Sequence, residues 1–93
     1  MAAYAVVTLT ISDQEKFDAY RARAGQAMEK HGITALQVSK DPQRLEGNDE
    51  APQLVVLLTA ENRENFQKWH ADPEFSDLHA MRRASGKVTL ILL

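Results

Sequence analysis

"QLVVLLT" (53–59) and "KVTLILL" (87–93) are the segments on which the reading of this chain turns. Both are rich in β-branched and aliphatic residues, as strands are. Successive side chains of a strand point to opposite faces. Leu54, Val56 and Leu58 therefore face one way while Val55 and Leu57 face the other, and Val88, Leu90 and Leu92 oppose Thr89, Ile91 and Leu93. The stretch "AYAVVTLTI" (3–11) repeats the pattern, with Ala5, Val7, Leu9 and Ile11 on one side and Tyr4, Val6, Thr8 and Thr10 on the other. An antiparallel sheet with one wet face alternates apolar with polar residues, and this one mostly does not. Helices can cover only one face, and the other would leave an apolar patch too large for a soluble monomer. The expectation is a homodimer in which two sheets pack face to face.

Working outward from the strands, "SDQE" (12–15) predicts a helix start, with Ser12 as N-cap and Glu15 completing a capping box. Phe17, Tyr20, Ala24, Ala27, Met28 and His31 then fall on one helical stripe, and Gly32 ends it in a left-handed cap. "ITALQVS" (33–39) reads as the second strand, a turn follows at "KDPQ", and "RLE" (44–46) is expected to carry the strand onward. "GNDEAP" (47–52) is loop. Asn62 caps a short helix bearing Phe66, Trp69 and His70, and Asp72-Pro73 starts another that runs to Ala84. The order β-α-β-β-α-β, with its second helix broken in two, is that of an α+β ferredoxin-like domain: an antiparallel sheet with helices on one face. The 93 residues suit a single domain spanning 1–93.

Composition narrows the function classes. A net charge of -2 argues against a nucleic-acid binder, which normally shows a basic face. The absence of cysteine removes disulfides, thiolate nucleophiles and Cys-ligated zinc, and fits a cytoplasmic protein. The first residues lack the basic region of a signal peptide, and no apolar run approaches the roughly 18 residues that span a membrane. No phosphate loop, dinucleotide fingerprint or serine-nucleophile elbow is present, so no cofactor is expected.

The pattern resembles the family called domain of unknown function 1330, within the dimeric α/β-barrel superfamily. The resemblance rests on "YAVVTLTISDQEKFDAYR" (4–21), "KHG" (30–32), "LEG" (45–47), "LVVL" (54–57) and "WHADPEFSDLHAMRRAS" (69–85). Family members carry a Trp, a Ser-Pro-Glu-Tyr-like helix start and a Leu-Arg at this spacing. Asp72 to Phe75 fill the helix start here, and Arg82 falls on the family's arginine. The chain departs from the family at Ser39-Lys40, where a Gly-Gly is usual, and at Asp49, where an aromatic is usual, so the hairpin and the loop before the third strand are shaped differently. The resemblance implies a ferredoxin-like homodimer and no particular activity. The wider superfamily includes cofactor-independent monooxygenases, isomerases and small-molecule binders.

Chemical candidates concentrate in "WHADPEFSDLHAMRR" (69–83). At about 100° per residue Arg82 falls inside the apolar stripe, between Phe75 and Leu78. A buried guanidinium keeps its charge and must find an acceptor. Either it snorkels or pairs with a carboxylate or helix-end carbonyls of the protein, or it clamps an anionic group of a ligand. His79 borders the same stripe, as a boundary histidine bonded to backbone or solvent, or as a polar partner or general base. His70 and His31 sit at helix ends, where imidazoles interact with the helix dipole. Trp69 and Tyr20 are core residues or pocket walls. No His pair has the spacing of a metal site, and a His70–Asp77–His79 cluster is weighed only as a coincidence. Three functions follow. One is a binder of a small, partly apolar or anionic molecule, using Arg82, Trp69, Tyr20 and His79 between sheet and helices. The second is a cofactor-independent monooxygenase, isomerase or lyase, using His79 or His70 as base with Arg82. The third is a structural dimer without a site.

Overall fold

The computed structural model describes residues 2–48 and 50–93. Asp49, one of the departures from the family pattern, lies outside them. Strand β1 (Ala3–Ile11) is followed by helix α1 (Gln14–Lys30), strands β2 (Thr34–Ser39) and β3 (Leu54–Ala60), helix α2 (Arg63–Ala71), a single 3-10 turn (Pro73–Phe75), helix α3 (Ser76–Ala84) and strand β4 (Gly86–Leu92). The four strands form one antiparallel sheet in the order β2-β3-β1-β4. This is the expected α+β ferredoxin-like arrangement, with the second helical segment broken at Asp72-Pro73.

Strand register bears out the division of faces read from the sequence. Ala5 pairs with Leu58 and Leu92, and Val7 with Val56 and Leu90; these residues meet the helices. Val6 pairs with Leu57 and Ile91 on the opposite face. Small residues on β1 and β3 (Ala3, Ala5 and Ala60) share a core with the bulky Phe66, Trp69, Phe75 and Leu78 of the helical layer. Large side chains set against small ones let helices lie close to the sheet at interior density.

Two expectations are corrected. Asp13, not Ser12, caps α1: its Oδ1 accepts from the Lys16 N–H at 3.1 Å. The Ser12 and Asp13 N–H groups both donate to the Ser85 carbonyl, at 2.9 and 3.0 Å, which ties the entry of α1 to the end of α3. The segment 44–46 does not extend β2. That strand is an edge strand with a register shift between Ala35 and Gln37, and it ends at Ser39 before Pro42, which has no N–H to offer a ladder. Leu45 is left 91% exposed. Gly32 adopts φ +67, with the Ile33 N–H donating to the Met28 carbonyl at 2.8 Å, so the left-handed cap stands as read.

Gly86 has a different reason to be glycine. It pairs with Ile11 where β4 begins, and a Cβ there would lie 2.0 Å from the Thr10 carbonyl oxygen. Backbone cannot yield as a flexible side chain can, so Gly86→Ala should destabilise the domain by about 3 kcal/mol. For a domain of this size that lowers Tm by more than about 10 °C, which thermal unfolding followed by circular dichroism would measure.

Candidate functional site

The helical layer covers the sheet unevenly. Phe66 and Trp69 fill the space over Ala3, Ala5 and Ala60. Towards the other end, beneath α1, a cavity of about 180 Å³ remains. Its floor is aliphatic, with Val7, Leu9, Val56 and Leu58, and α1 closes it with Tyr20, Ala24 and Met28. Trp69 and Arg82 also line it, as does Arg21 beside Phe17. The α1 residues are the stripe that the sequence presents as core. It is core towards Ala27 and cavity wall towards Phe17, because Ala24 on α1 and Ala35 on β2 bring little bulk to the gap.

Arg82 is 2% exposed and has no carboxylate partner among the described residues. The internal ion pair weighed for it is not formed. The acidic residue nearest along α3, Asp77, instead reaches out to Arg23 on α1 at 2.7 Å. Arg82 lies against two aromatic faces, its Cζ 5.7 Å from the Tyr20 ring centre and 5.5 Å from that of Trp69. Its single hydrogen bond among the described residues runs from Nη1 to His79 Nδ1 at 2.8 Å. The Arg82 Nε and the Trp69 Nε1 are both buried donors without an acceptor among the described residues.

His79 is equally buried, and its neighbours decide its tautomer. Nε2 lies 3.0 Å from the Trp69 carbonyl, which can only accept, so the proton sits there. Nδ1 is then left to accept from Arg82. The imidazole is neutral, which burial enforces by pushing its pKa below the usual 6.5; Arg82, His70 and Arg83 add to this, against the opposing Trp69 carbonyl. The Trp69 indole meets the imidazole edge-on at 5.0 Å. With both nitrogens engaged, His79 has no lone pair for a substrate proton. It holds the arginine.

This makes a stability prediction with a definite sign. The unfolded chain takes up a proton at His79 near pH 6.5, while the folded chain does so only at lower pH. Folding free energy should therefore fall as pH drops from about 6.5 towards the lower folded value, and be fully present above it. Urea unfolding of the wild type and His79→Gln at pH values on either side of that window tests this. The variant should lose part of the dependence; identical profiles would mean that His79 does not carry it.

The remaining candidates lie apart. His70 is exposed, with its ring 5.4 Å from that of His79 but outside the cavity lining. His31 does more than end its helix: Nε2 contacts Asp72 Oδ2 at 2.8 Å. Asp72 also accepts from Lys30 at 2.9 Å and from the Glu74 N–H at 3.0 Å, and these donors hold its carboxyl well below the usual carboxylate range. Asp72 thus starts the second helical segment and latches it to the end of α1, a partnership across 41 residues that local sequence does not signal.

A family model described as "Domain of unknown function (DUF1330)" matches residues 2–93. The chain belongs to the DUF1330 family. No curated protein matches it. Among solved structures, this DUF1330 chain is similar to a protein of unknown function from Rhodopseudomonas palustris, with TM-score 0.84 and 18% identity over 99% of this chain and 80% of that one. SnoaB, a cofactor-independent oxygenase from Streptomyces nogalater, superposes with TM-score 0.70 and 16% identity, covering 99% of this chain and 90% of that one. A dimeric ferredoxin-like protein of unknown function from Jannaschia sp. CCS1 follows with TM-score 0.66 and 19% identity, over 100% and 98%. At these identities the likeness is one of fold. For the DUF1330 chain it agrees with the strand order and helix placement described above.

Proposed function

We propose that this protein binds a small, partly apolar carboxylate between its sheet and helices, with Arg82 as the anion clamp. One observation carries the reading: a buried guanidinium, with five N–H donors, has a single protein acceptor among the described residues and stands in the wall of a cavity. Burial of an uncompensated charge costs several kcal/mol. Its two cation–π contacts return about 0.5–2 kcal/mol each, and the neutral His79 supplies no opposite charge. A carboxylate would supply both the charge and the missing acceptors. Tyr20 and Trp69 serve as walls and His79 as the positioning residue that fixes the guanidinium.

The cavity sets the size of the guest. Apolar protein cavities of roughly 150 Å³ accept a benzene-sized body, so about 180 Å³ suits a single ring or a short chain. The test is a thermal-shift screen of small aromatic and aliphatic carboxylates on the wild type and on Arg82→Met. The expected result is stabilisation of the wild type alone, and equal shifts would remove Arg82 from the site. No base is assigned, because the imidazole nearest the guanidinium spends both nitrogens on the protein.

The reading includes a homodimer formed through the open sheet face. Tyr4, Ile91 and Leu93 are exposed there, around Val6, Val55 and Leu57. The threonines interspersed among them are less polar than their composition suggests. Thr59 spends its hydroxyl on the Ala3 carbonyl at 3.0 Å, and the Thr8 and Thr89 hydroxyls bond each other. This face lies across the sheet from the Arg82 cavity, so pairing leaves the cavity intact.

A further inference from the structure

The Arg82 cavity is not isolated. A second, wider hollow of about 510 Å³ shares with it Phe17, Arg21, Val38 and Leu54, so the two are continuous between α1 and the β2 edge. Their chemistry differs. The inner space is almost wholly apolar apart from Arg82 at its inner end and Arg21 where it meets the outer one, which adds Lys40. Among the described residues no carboxylate lines the outer hollow. Arg21 has only a long contact with Asp18, at 3.9 Å between two exposed side chains, and that Asp18 oxygen also accepts from Gln14. Lys40 has no carboxylate partner among the described residues. Gln53 accepts from the Ile11 N–H through its oxygen, which leaves its amide N–H groups without an acceptor among the described residues.

A stack of side chains joins the two cationic ends. Arg82 lies over Tyr20, Tyr20 is 6.3 Å from Phe17 between ring centres, and Arg21 lies 5.8 Å over Phe17. Positive charge thus stands at the inner end and at the mouth, with aromatic and aliphatic surface between. We infer that the ligand is an elongated dianion with an apolar middle, one carboxylate held by Arg82 and a second anionic group held by Arg21 and Lys40 at the mouth. This rests on the reading of Arg82 as a clamp and extends it to the far end of the ligand.

Straight-chain monoacids and their matching diacids distinguish the two: hexanoate, octanoate and decanoate against adipate, suberate and sebacate. They are titrated calorimetrically into the wild type, the double variant Arg21→Gln/Lys40→Gln and Arg82→Met. The mouth charges are exposed, so their gain is modest and screened by salt. At least one diacid should bind the wild type about 5-fold to 10-fold tighter than its monoacid at low salt. The preference should vanish in the double variant while monoacid binding persists. Arg82→Met should lose both ligands. Monoacids and diacids binding alike to the wild type and the double variant would overturn the dianion and leave the Arg82 clamp standing. Failure of every acid to bind the wild type would overturn both.

Discussion

Arg82→Met is expected to cost about 100-fold in affinity for any carboxylate that the wild type binds, while changing the stability of the ligand-free protein little. The affinity figure follows from charge-assisted hydrogen bonds, each contributing about 1.5–3 kcal/mol, with 1.4 kcal/mol to a factor of ten. The stability figure comes from opposing effects. Methionine removes a buried charge that no carboxylate of the described residues compensates. Against that gain stand the cation–π contacts and the His79 Nδ1, which loses its donor; an unsatisfied buried acceptor costs about 1–3 kcal/mol. These effects are of similar size, so the wild-type and variant Tm values should agree within about 5 °C. An arginine acting as one half of a buried ion pair behaves otherwise: its loss costs about 3–5 kcal/mol. A large fall in Tm together with unchanged ligand shifts would identify Arg82 as a structural residue and end the clamp reading. Chemical denaturation with and without ligand measures both quantities on the same samples.

Ile91→Glu should convert a dimer into a folded monomer. Ile91 pairs with Val6 at the centre of the open face and is 51% exposed in the single chain, so a carboxylate there remains hydrated when the chain is alone. In a face-to-face dimer the same carboxylate would be buried against its own symmetry mate and against Leu57 and Val6, at a cost of several kcal/mol for each copy. Size-exclusion with light scattering at micromolar concentration should give twice the chain mass for the wild type and the single-chain mass for the variant, with unchanged far-ultraviolet dichroism. A wild type that elutes as a monomer under those conditions would remove the dimer. Because the cavity lies across the sheet, the monomeric variant should still bind the carboxylate.

Much of the architecture was legible before any coordinates, for local reasons. Period-two runs of aliphatic residues defined β1, β3 and β4, and the Phe17–Met28 stripe defined α1. Asn62, Asp72-Pro73 and Gly32 marked helix ends because capping is settled within a few residues of chain. The misreadings were local competitions decided from afar. Ser12 and Asp13 both have a capping residue's chemistry, and the Ser85 carbonyl, 73 residues from Ser12, fixes the entry of the chain by accepting from both N–H groups, with the Asp13 side chain at the Lys16 N–H. Residues 44–46 had no partner strand to extend along.

The candidate site divides along the same line. A helical wheel alone placed Arg82 on the apolar side of α3, since position on a helix follows from the angle per residue. What receives its protons could not be read there. Asp77 was the nearest carboxylate in sequence, and it turned outward to Arg23. His79, one turn earlier on the same helix, was legible as a neighbour, but only the packing of α3 beside α2 and α1 brought the faces of Tyr20 and Trp69 to the guanidinium, with no carboxylate among them. The sequence by itself determined the strand faces, the helix ends and the burial of one arginine, because periodicity and capping act over a few residues. The tertiary structure alone decided that this charge stands in a cavity wall with no carboxylate beside it among the described residues, because which distant segments pack against a buried side chain is set by the fold.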